Sequence, residues 1–201
     1  MKYNKDTGEK ILDAAILEFE EKGFSGVRMQ QIADKAGINK ALLHYYYKSK
    51  ETLFLIIIKR ALKVFLPKLV SIFEDDNDII SNIENFTYSY IETFIKNPRI
   101  PGFIIQEINN HPESIMELFH SSGVKIDTIK RKVNRGIDEG LIDEIEPEQL
   151  IINIISLCLF PFVAKPVIKG VILNDNKKTF EELMEKRKTE VAKFIIKAIK
   201  K

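Results

Sequence analysis

The chain has 201 residues, of which 45% are hydrophobic and 30% are charged, and its formal net charge is +2. This length and balance are ordinary for a globular protein that buries a sizeable core, and the sequence contains no internal repeat and no low-complexity segment. Because the net charge is close to zero, any surface that binds a polyanion has to be a local one.

The first predicted helix covers residues 6–22 and ends at Gly23, a residue type that closes helices at little conformational cost. Five apolar side chains recur in it at helical spacing and predict one buried face: Ile11, Leu12, Ala15, Ile16 and Phe19. We expect this face to pack across the two short helices that follow, because two short helices alone cannot bury a core.

Two short helical patterns lie between residues 28 and 47 and are separated by a tight turn. Gly37 stands where the C-cap of the first helix needs a left-handed residue, and Asn39 stands where the second helix needs an N-cap. The first helix has one apolar stripe, formed by Ile32, Ala33 and Ala36. Two short helices joined by a turn that contains glycine predict a helix-turn-helix.

The second helix of this motif has an inward and an outward side. Leu43 and Tyr47 are four residues apart and should face inward together. Four residues project from the opposite side: Lys40, Ala41, His44 and Tyr45. A helix with polar and aromatic groups on its outward side is typical of one that reads DNA.

Basic residues are concentrated around the motif. Residues 22–60 contain eight basic and two acidic side chains, a net charge of +6, which leaves −4 for the rest of the chain. This asymmetry fits a domain that meets a polyanion, and a solvated helix face would explain the same count.

Three segments in one register resemble the N-terminal signature of TetR-type transcriptional regulators: residues 24–27 (FSGV), 32–38 (IADKAGI) and 43–53 (LHYYYKSKETL). The resemblance implies a helix-turn-helix DNA-binding domain over residues 5–65, with the motif itself at 28–47. The family usually has a small hydroxyl residue in place of Arg28, and Tyr or Phe in place of His44. The preferred DNA sequence is therefore not carried over from the family.

The resemblance also implies which residues contact DNA: Arg28, Gln30, Lys40, Ala41, His44, Tyr45, Tyr46 and Lys50. Lys40 and His44 are one helical turn apart and can donate to guanine acceptors in the major groove. Ala41 permits close approach and can touch a thymine methyl group. His44 can also be an ordinary surface histidine.

The other candidate contacts position the protein on the DNA backbone. Tyr45 and Tyr46 can donate their hydroxyls to phosphates, although packing would explain the tyrosines as well. Lys50 begins a helix and adds a charge beside free N–H groups, an arrangement that suits an anion. Gln30 can reach a base or a phosphate, and Arg28 contacts DNA or pairs locally.

Helical patterns continue to the end of the chain, and no segment shows the sustained period-two alternation of a strand. The predicted helices cover residues 49–73 (capped by Ser49), 78–96, a short segment from 101, 112–139, 147–163 and 179–200. Pro67 should kink or break its helix, Gly123 should divide or loosen the helix in which it lies, and Pro161 and Pro166 should end or bend another. We predict an all-α fold in which a larger helical domain, residues 66–201, follows the DNA-binding domain.

By resemblance, the larger domain binds an effector and dimerises. A homodimer would read a near-palindromic site on double-stranded DNA, with helices 147–163 and 179–200 at the interface. A small ligand would then release a repressor from its operator. The candidate pocket residues are apolar or aromatic and favour an effector of the same kind: Phe65, Phe86, Tyr90, Phe103, Phe119 and Phe162. Core packing explains these residues equally well.

An enzymatic function has little support. Glu117 and His120 have the Glu-x-x-His spacing of bundle metal sites, but those sites need a second copy that the sequence lacks. There is no phosphate-binding glycine loop or nucleophile elbow. We expect no catalytic residue, no metal site and no cofactor. The alternatives are a regulator that senses a protein partner or no effector, and a helical metal-binding or catalytic bundle.

The sequence also predicts a compartment. Cys158 is the only cysteine, which excludes an intrachain disulfide and favours a reducing cytoplasm. The polar first ten residues predict no signal peptide. The longest apolar stretch, 150–164, is shorter than the roughly 20 residues that span a bilayer. We expect a cytoplasmic protein outside the membrane.

Overall fold

The computed structural model describes the backbone of residues 5–98, 100–110, 112–174 and 179–201, and it leaves the side chains at 5, 20, 64, 103 and 114 undescribed. Over these residues the chain is helical and has no strand, apart from one isolated antiparallel bridge between Ile142 and Lys200. The all-α prediction is confirmed. The chain divides between Leu62 and Lys63 into two compact units.

The first unit is built from three helices and the beginning of a fourth: α1 (Lys5–Gly26), α2 (Met29–Lys35), α3 (Lys40–Tyr46) and α4 (Lys50–Ser71). Its core takes apolar side chains from every helix: Ile11, Leu12, Ala15, Phe19, Ile32, Ala33, Leu43 and Leu53. Ile16 was predicted to be buried, and this is wrong, because it is 36% exposed. It lies about 100° around the helix from Ala15, outside the buried stripe.

A buried carboxylate also joins α1 to α2. Glu18 is 5% exposed and accepts hydrogen bonds from Lys22 Nζ at 2.7 Å and from Lys35 Nζ at 3.0 Å. These two hydrogen bonds hold the pKa of Glu18 below its ordinary value, and the bond from Lys22 has the larger effect. The carboxylate is therefore ionised where it lies, and it fastens the first helix to the motif.

The second unit contains the end of α4 and the helices that follow it: α5 (Ile79–Lys96), α6 (Ile100–Asn110), α7 (Pro112–Ser121), α8 (Ile126–Asp138), α9 (Pro147–Val163), α10 (Lys165–Val167), the π-helical segment Ile168–Ile172, and α11 (Phe180–Ile199). The central helix is α5, which packs against α8, α9 and α11. Gly136 permits the close approach of α8, since a Cβ at this position would lie 2.5 Å from Ile79 Cγ2.

Glycine and proline act on these helices in different ways. Gly123 has a φ of +75° and separates α7 from α8, so the predicted division is confirmed. The predicted break at Pro67 does not occur, because α4 stays helical to Ser71. Near Pro161 and Pro166 the chain bends by 65° between α9 and the segment Lys165–Ile172. His111 and residues 175–176, which fall between helices predicted from the sequence, lie outside the described residues.

Among the described helices, only one bent pair approaches the properties of a membrane span. No single helix combines the length and the apolar composition of a bilayer span, and only the bent pair Pro147–Val163 and Lys165–Ile172 meets both criteria together.

Candidate nucleic-acid interface

The α2–α3 motif is held in the first unit by its buried side. Four of its side chains are buried: Ile32, Ala33, Leu43 and Tyr47. Gly37 makes the turn with a φ of +67°, which residues with a Cβ rarely adopt. Asn39 Oδ1 accepts a hydrogen bond from Leu42 N–H at 2.7 Å, so the predicted N-cap is confirmed. The core and the two caps together fix the orientation of α3.

The other side of α3 is open to solvent. The four residues predicted to project outward are all exposed: Lys40, Ala41, His44 and Tyr45. Leu43, in the same helix, is 0% exposed. The helix therefore has one side held in the core and one side that a partner can reach.

The three consecutive tyrosines have different surroundings. Tyr45 is 56% exposed, and its ring meets the half-buried Tyr46 edge-on with centroids 5.8 Å apart. Tyr47 is 9% exposed and donates its hydroxyl to the Gly8 carbonyl at 3.3 Å, so its predicted inward packing is confirmed. The run of tyrosines passes from the outward face of α3 to the core.

The two candidate residues at the start of α2 are exposed and hold that end of the helix. Arg28 occupies the N-cap position, and its backbone N–H donates to Gln31 Oε1 at 2.8 Å. Gln30 Nε2 donates to Asp34 Oδ1 at 2.7 Å. A contact between the Gln30 amide N–H and DNA has to compete with this internal hydrogen bond.

Lys50 is held within the first unit. Its Nζ donates to the carbonyl oxygens of Phe24 at 2.9 Å and Val27 at 3.2 Å, and it lies 4.4 Å from the centre of the Phe24 ring. Ser49 caps α4, with Oγ accepting from Thr52 N–H at 3.1 Å. Lys50 therefore ties the start of α4 to the α1–α2 connection. Sequence analysis missed this role, because the two carbonyls lie 26 and 23 residues away along the chain.

His44 also has a specific partner. Its Nδ1 lies 3.2 Å from the carbonyl oxygen of Lys48, in the short connection between α3 and α4. A carbonyl oxygen can only accept, so Nδ1 carries the proton in this bond. The hydrogen bond leaves Nε2 as the ring nitrogen that can meet a ligand.

The aromatic residues proposed for an effector pocket lie mostly in one chain of ring contacts in the second unit. Tyr90 is central, with ring centroids 6.1 Å from Phe65, 5.5 Å from Phe86 and 4.6 Å from Phe94. Phe94, which sequence analysis missed, continues the chain to Phe162 at 5.4 Å. Burial raises the pKa of the Tyr90 hydroxyl, so this group stays protonated.

Two other candidates do not join these contacts. Phe119 on α7 is 40% exposed and is not part of the ring chain that the described residues form. Phe103 belongs to α6, and its side chain lies outside the described residues.

A polar groove of about 430 Å³ lies between the turn after α4 and one face of α8. Its lining residues are mostly charged, with both signs present: Phe73, Glu74, Asp75, Asp76, Lys125, Thr128, Arg131, Lys132 and Arg135. Lys132 Nζ donates to the carbonyl oxygens of Asp75 and Asn77, and Arg135 pairs with Glu139 at 2.6 Å. Polar contacts across the groove therefore connect α8 to the turn after α4.

Buried polar residues of the second unit were not found from the sequence. Lys188 on α11 is 7% exposed, and it pairs with Glu92 on α5 and with Glu185 at 2.6 Å. Glu107 on α6 is 5% exposed, and its Oε2 has no hydrogen-bond partner within the described part of the chain. Hydropathy gives no signal for such groups, because each has an ordinary surface residue type.

Two observations bear on metal binding and on the cysteine. Among residues 5–98, 100–110, 112–174 and 179–201, no cluster of three or more His, Cys, Asp or Glu side chains could hold a metal ion. Glu117 and His120 are exposed on α7. Burial raises the pKa of the Cys158 thiol to about 12, which keeps it protonated and unreactive.

Comparison with known proteins gives this geometry a family. The family model described as bacterial regulatory proteins of the tetR family matches residues 11–65. The transcriptional regulator RutR of Escherichia coli is 29% identical over 145 residues, which cover 72% of this chain and 68% of that protein. The transcriptional repressor NicS of Pseudomonas putida is 27% identical over 161 residues, covering 77% and 74%.

A solved structure extends the likeness to the second unit. A TetR/AcrR-family regulator from Thermobifida fusca superposes with a TM-score of 0.72, covering 96% of this chain and 97% of that one at 18% identity. An identity of 18% shows a shared fold and nothing more. The family model, in contrast, matches residues 11–65 and therefore covers the α2–α3 motif. Residues 11–65 therefore form a tetR-family helix-turn-helix DNA-binding domain, and the chain is similar to regulators of this family, which are DNA-binding proteins and not enzymes.

Proposed function

We propose that this regulator is a cytoplasmic repressor that binds a near-palindromic operator as a homodimer and leaves it when a small, largely apolar ligand binds. The observation that carries the DNA-binding part is the two-sided α3, with Leu43 fully buried and Lys40 and His44 exposed. The similar NicS protein is named a repressor, which supports the direction of regulation.

The outward residues divide into base contacts and phosphate contacts. Lys40, Ala41 and His44 stand on the exposed side of the helix that enters the major groove, where base edges can be distinguished. Tyr45 and Tyr46 donate to phosphates, which fix the position of the protein without reading the sequence.

Residues outside α3 complete the interface. The exposed side chains of Arg28 and Gln30 approach the DNA from the start of α2. Lys50 contributes by holding the start of α4 in place, because its ammonium already donates to two backbone carbonyls. It adds positive charge to the surface while it keeps α4 in place.

A second copy of the chain is the proposed partner of an apolar surface on the second unit. The surface consists of large exposed residues on α9, α10, the π-helical segment and α11: Ile152, Ile155, Phe160, Val163, Val167, Val171, Ile172 and Phe194. Apolar side chains exposed at this density mark an interaction site. One α3 reads one half-site, so a dimer supplies the second reading helix.

The proposed effector site is the aromatic chain around Tyr90. Phe65, Phe86 and Phe162 belong to the same set of ring contacts, which favours an apolar or aromatic ligand. Because these rings also pack against each other, a ligand has to displace ring contacts to enter. That displacement couples ligand binding to the packing of α4, α5 and α9.

Fluorescence anisotropy tests the DNA-binding proposal. We expect tighter binding to the DNA that flanks the coding region than to scrambled DNA, and a loss of affinity as salt rises. Lys40→Ala should weaken specific binding about tenfold, since one good base contact contributes about 1–3 kcal/mol. Lys186→Ala, which removes an exposed lysine of α11, is the matched control and should change nothing. Equal affinity for both DNAs at low and at high salt would contradict the proposal.

Thermal shift in the presence of small apolar and aromatic compounds tests the effector. A ligand that binds only the folded state raises the midpoint of unfolding by mass action. We expect at least one compound to stabilise the protein and to weaken its binding to DNA. Complete absence of stabilisation across the set would favour a regulator that senses a protein partner or no effector.

A further inference from the structure

The hydrogen bond of His44 has a consequence for which bases the protein prefers. A neutral imidazole carries one N–H and one nitrogen lone pair. The carbonyl oxygen of Lys48, 3.2 Å from Nδ1, accepts the only N–H of the neutral ring. His44 is an exposed residue, and its Nε2 therefore carries the lone pair, so that towards DNA the neutral side chain is a hydrogen-bond acceptor.

The position of His44 makes this acceptor relevant to sequence reading. It lies on the exposed side of α3, one turn from Lys40 and three residues from Ala41. In the major groove adenine and cytosine present an amino donor, at N6 and N4 respectively, while guanine and thymine present keto acceptors. A histidine with a protonated Nδ1 matches the amino bases and leaves a keto oxygen without a donor.

We propose that His44 is a specificity-determining residue that accepts a hydrogen bond through Nε2 from adenine or cytosine. It does so because the backbone carbonyl of Lys48 accepts from Nδ1 and so keeps the ring proton on that nitrogen. The inference rests on the proposed DNA-binding function. It replaces the expectation from the sequence for this residue, in which His44 donates to guanine. That donation requires the doubly protonated ring, and the neutral ring selects the opposite class of base.

The same hydrogen bond keeps the ring in a defined orientation. Lys48 follows Tyr47, whose backbone is extended and ends α3. The bond thus links the last turn of α3 to the connection before α4. An unbranched side chain such as lysine at position 44 can donate but cannot reproduce this fixed acceptor.

Selection from a random DNA pool at pH 8, where an ordinary imidazole is mostly neutral, tests the base preference. We expect the wild-type protein to favour A or C over G or T at one position of each half-site. His44→Ala should remove this preference, a change of about 3- to 10-fold for one hydrogen bond. His44→Lys, an obligate donor, should shift the preference to G or T.

Lys48→Ala is the matched control. It removes an exposed side chain beside His44 but keeps the backbone carbonyl, so the preference should stay. A wild-type preference for G or T at the position that depends on His44, or a preference unchanged in His44→Ala, would overturn the inference. Failure of the wild type to enrich any sequence would instead contradict the proposed function, and this inference would fall with it.

Two-bond ¹H–¹⁵N correlation spectra of the free protein test the proton position independently of DNA. The chain has three histidines, so the ring signals that disappear in His44→Ala are those of His44. We expect a protonated Nδ1 and an unprotonated Nε2 at pH 8. A proton on Nε2 would overturn the inference even if the protein reads DNA as proposed.

Discussion

The two units place their candidate functional residues in opposite environments. In the first unit, Lys40, His44 and Tyr45 stand on the surface above a core that they do not form. In the second unit, Phe86 and Tyr90 are themselves core residues, 7% and 8% exposed. A substitution on α3 therefore tests binding with little effect on stability. A substitution in the aromatic chain changes the packing and the proposed ligand site together.

The polar groups differ in the same way. In the first unit the buried Glu18 is paired with two lysines, and the outward polar residues meet solvent. In the second unit Lys188 is buried between helices and joins α11 to α5. The proposed DNA contacts can therefore be substituted without disturbing a core, whereas candidate effector residues need a ligand-bound measurement to separate binding from packing.

The largest effect should come from removing the anchor of α3. Leu43→Ala deletes a fully buried side chain and should lower the free energy of unfolding by about 2–5 kcal/mol. Urea unfolding measures this loss, and DNA binding should disappear with the folded unit. Leu17→Ala is the control in the same unit, because Leu17 is 51% exposed. If Leu43→Ala kept full stability, the two-sided description of α3 would be wrong.

A smaller loss is expected in the second unit. Gly136→Ala places a Cβ 2.5 Å from Ile79 Cγ2 and should cost about 1–3 kcal/mol, because α8 has to move away from α5. Gly102→Ala is the matched control, since its Cβ would meet no atom within 4 Å, and it should be neutral or stabilising. Thermal unfolding of both variants measures the two changes in stability. Equal effects at the two positions would contradict the close approach of the helices.

Substitution of Lys50 distinguishes a role in holding α4 in place from a direct contact with a DNA phosphate. Lys50→Met leaves the Phe24 and Val27 carbonyls without their donor and should lower stability by about 1 kcal/mol. The salt dependence of DNA binding should change little, because the Lys50 ammonium is held by the two carbonyls and not by a phosphate. Lys48→Met, at an exposed position nearby, should leave stability unaltered. A salt slope reduced by about one in Lys50→Met, with stability intact, would instead make Lys50 a phosphate contact.

The smallest effect should appear in the pH dependence of Glu18. Its pKa is lowered in the folded state, so its contribution to stability is present above the unfolded-state value of 4.5 and is lost as the pH falls through the lower folded-state value. Glu18→Gln should therefore be less stable than the wild type at pH 7, and the difference should shrink in acid. Glu21→Gln, at an exposed position, is the control. A difference independent of pH would show that the pairing with lysine does not stabilise the fold.

The sequence predicted features that depend on neighbouring residues. Asn39 and Ser49 cap their helices, and Gly37 and Gly123 form the turns, because capping and left-handed backbone are decided within about four residues. Tyr47 packs inward as its spacing from Leu43 predicts.

The features that were missed depend on distant residues or on subtle angles. Lys50 binds carbonyls more than twenty residues away, and Phe94 was not identified as the link between Tyr90 and Phe162. Ile16 shows that a periodic pattern does not fix the edge of a buried stripe. Which nitrogen of His44 carries the proton is decided by a carbonyl position that no sequence pattern contains.

Hydroxyl-radical footprinting of the protein on its tightest-binding DNA is the most direct test of two copies that read adjacent major grooves. The account predicts two protected patches on one face of the DNA, with centres about 34–36 Å or a multiple of that apart, and in Lys40→Ala both should need about tenfold more protein to appear. One protected patch, or uniform protection that Lys40→Ala leaves unchanged, would contradict it.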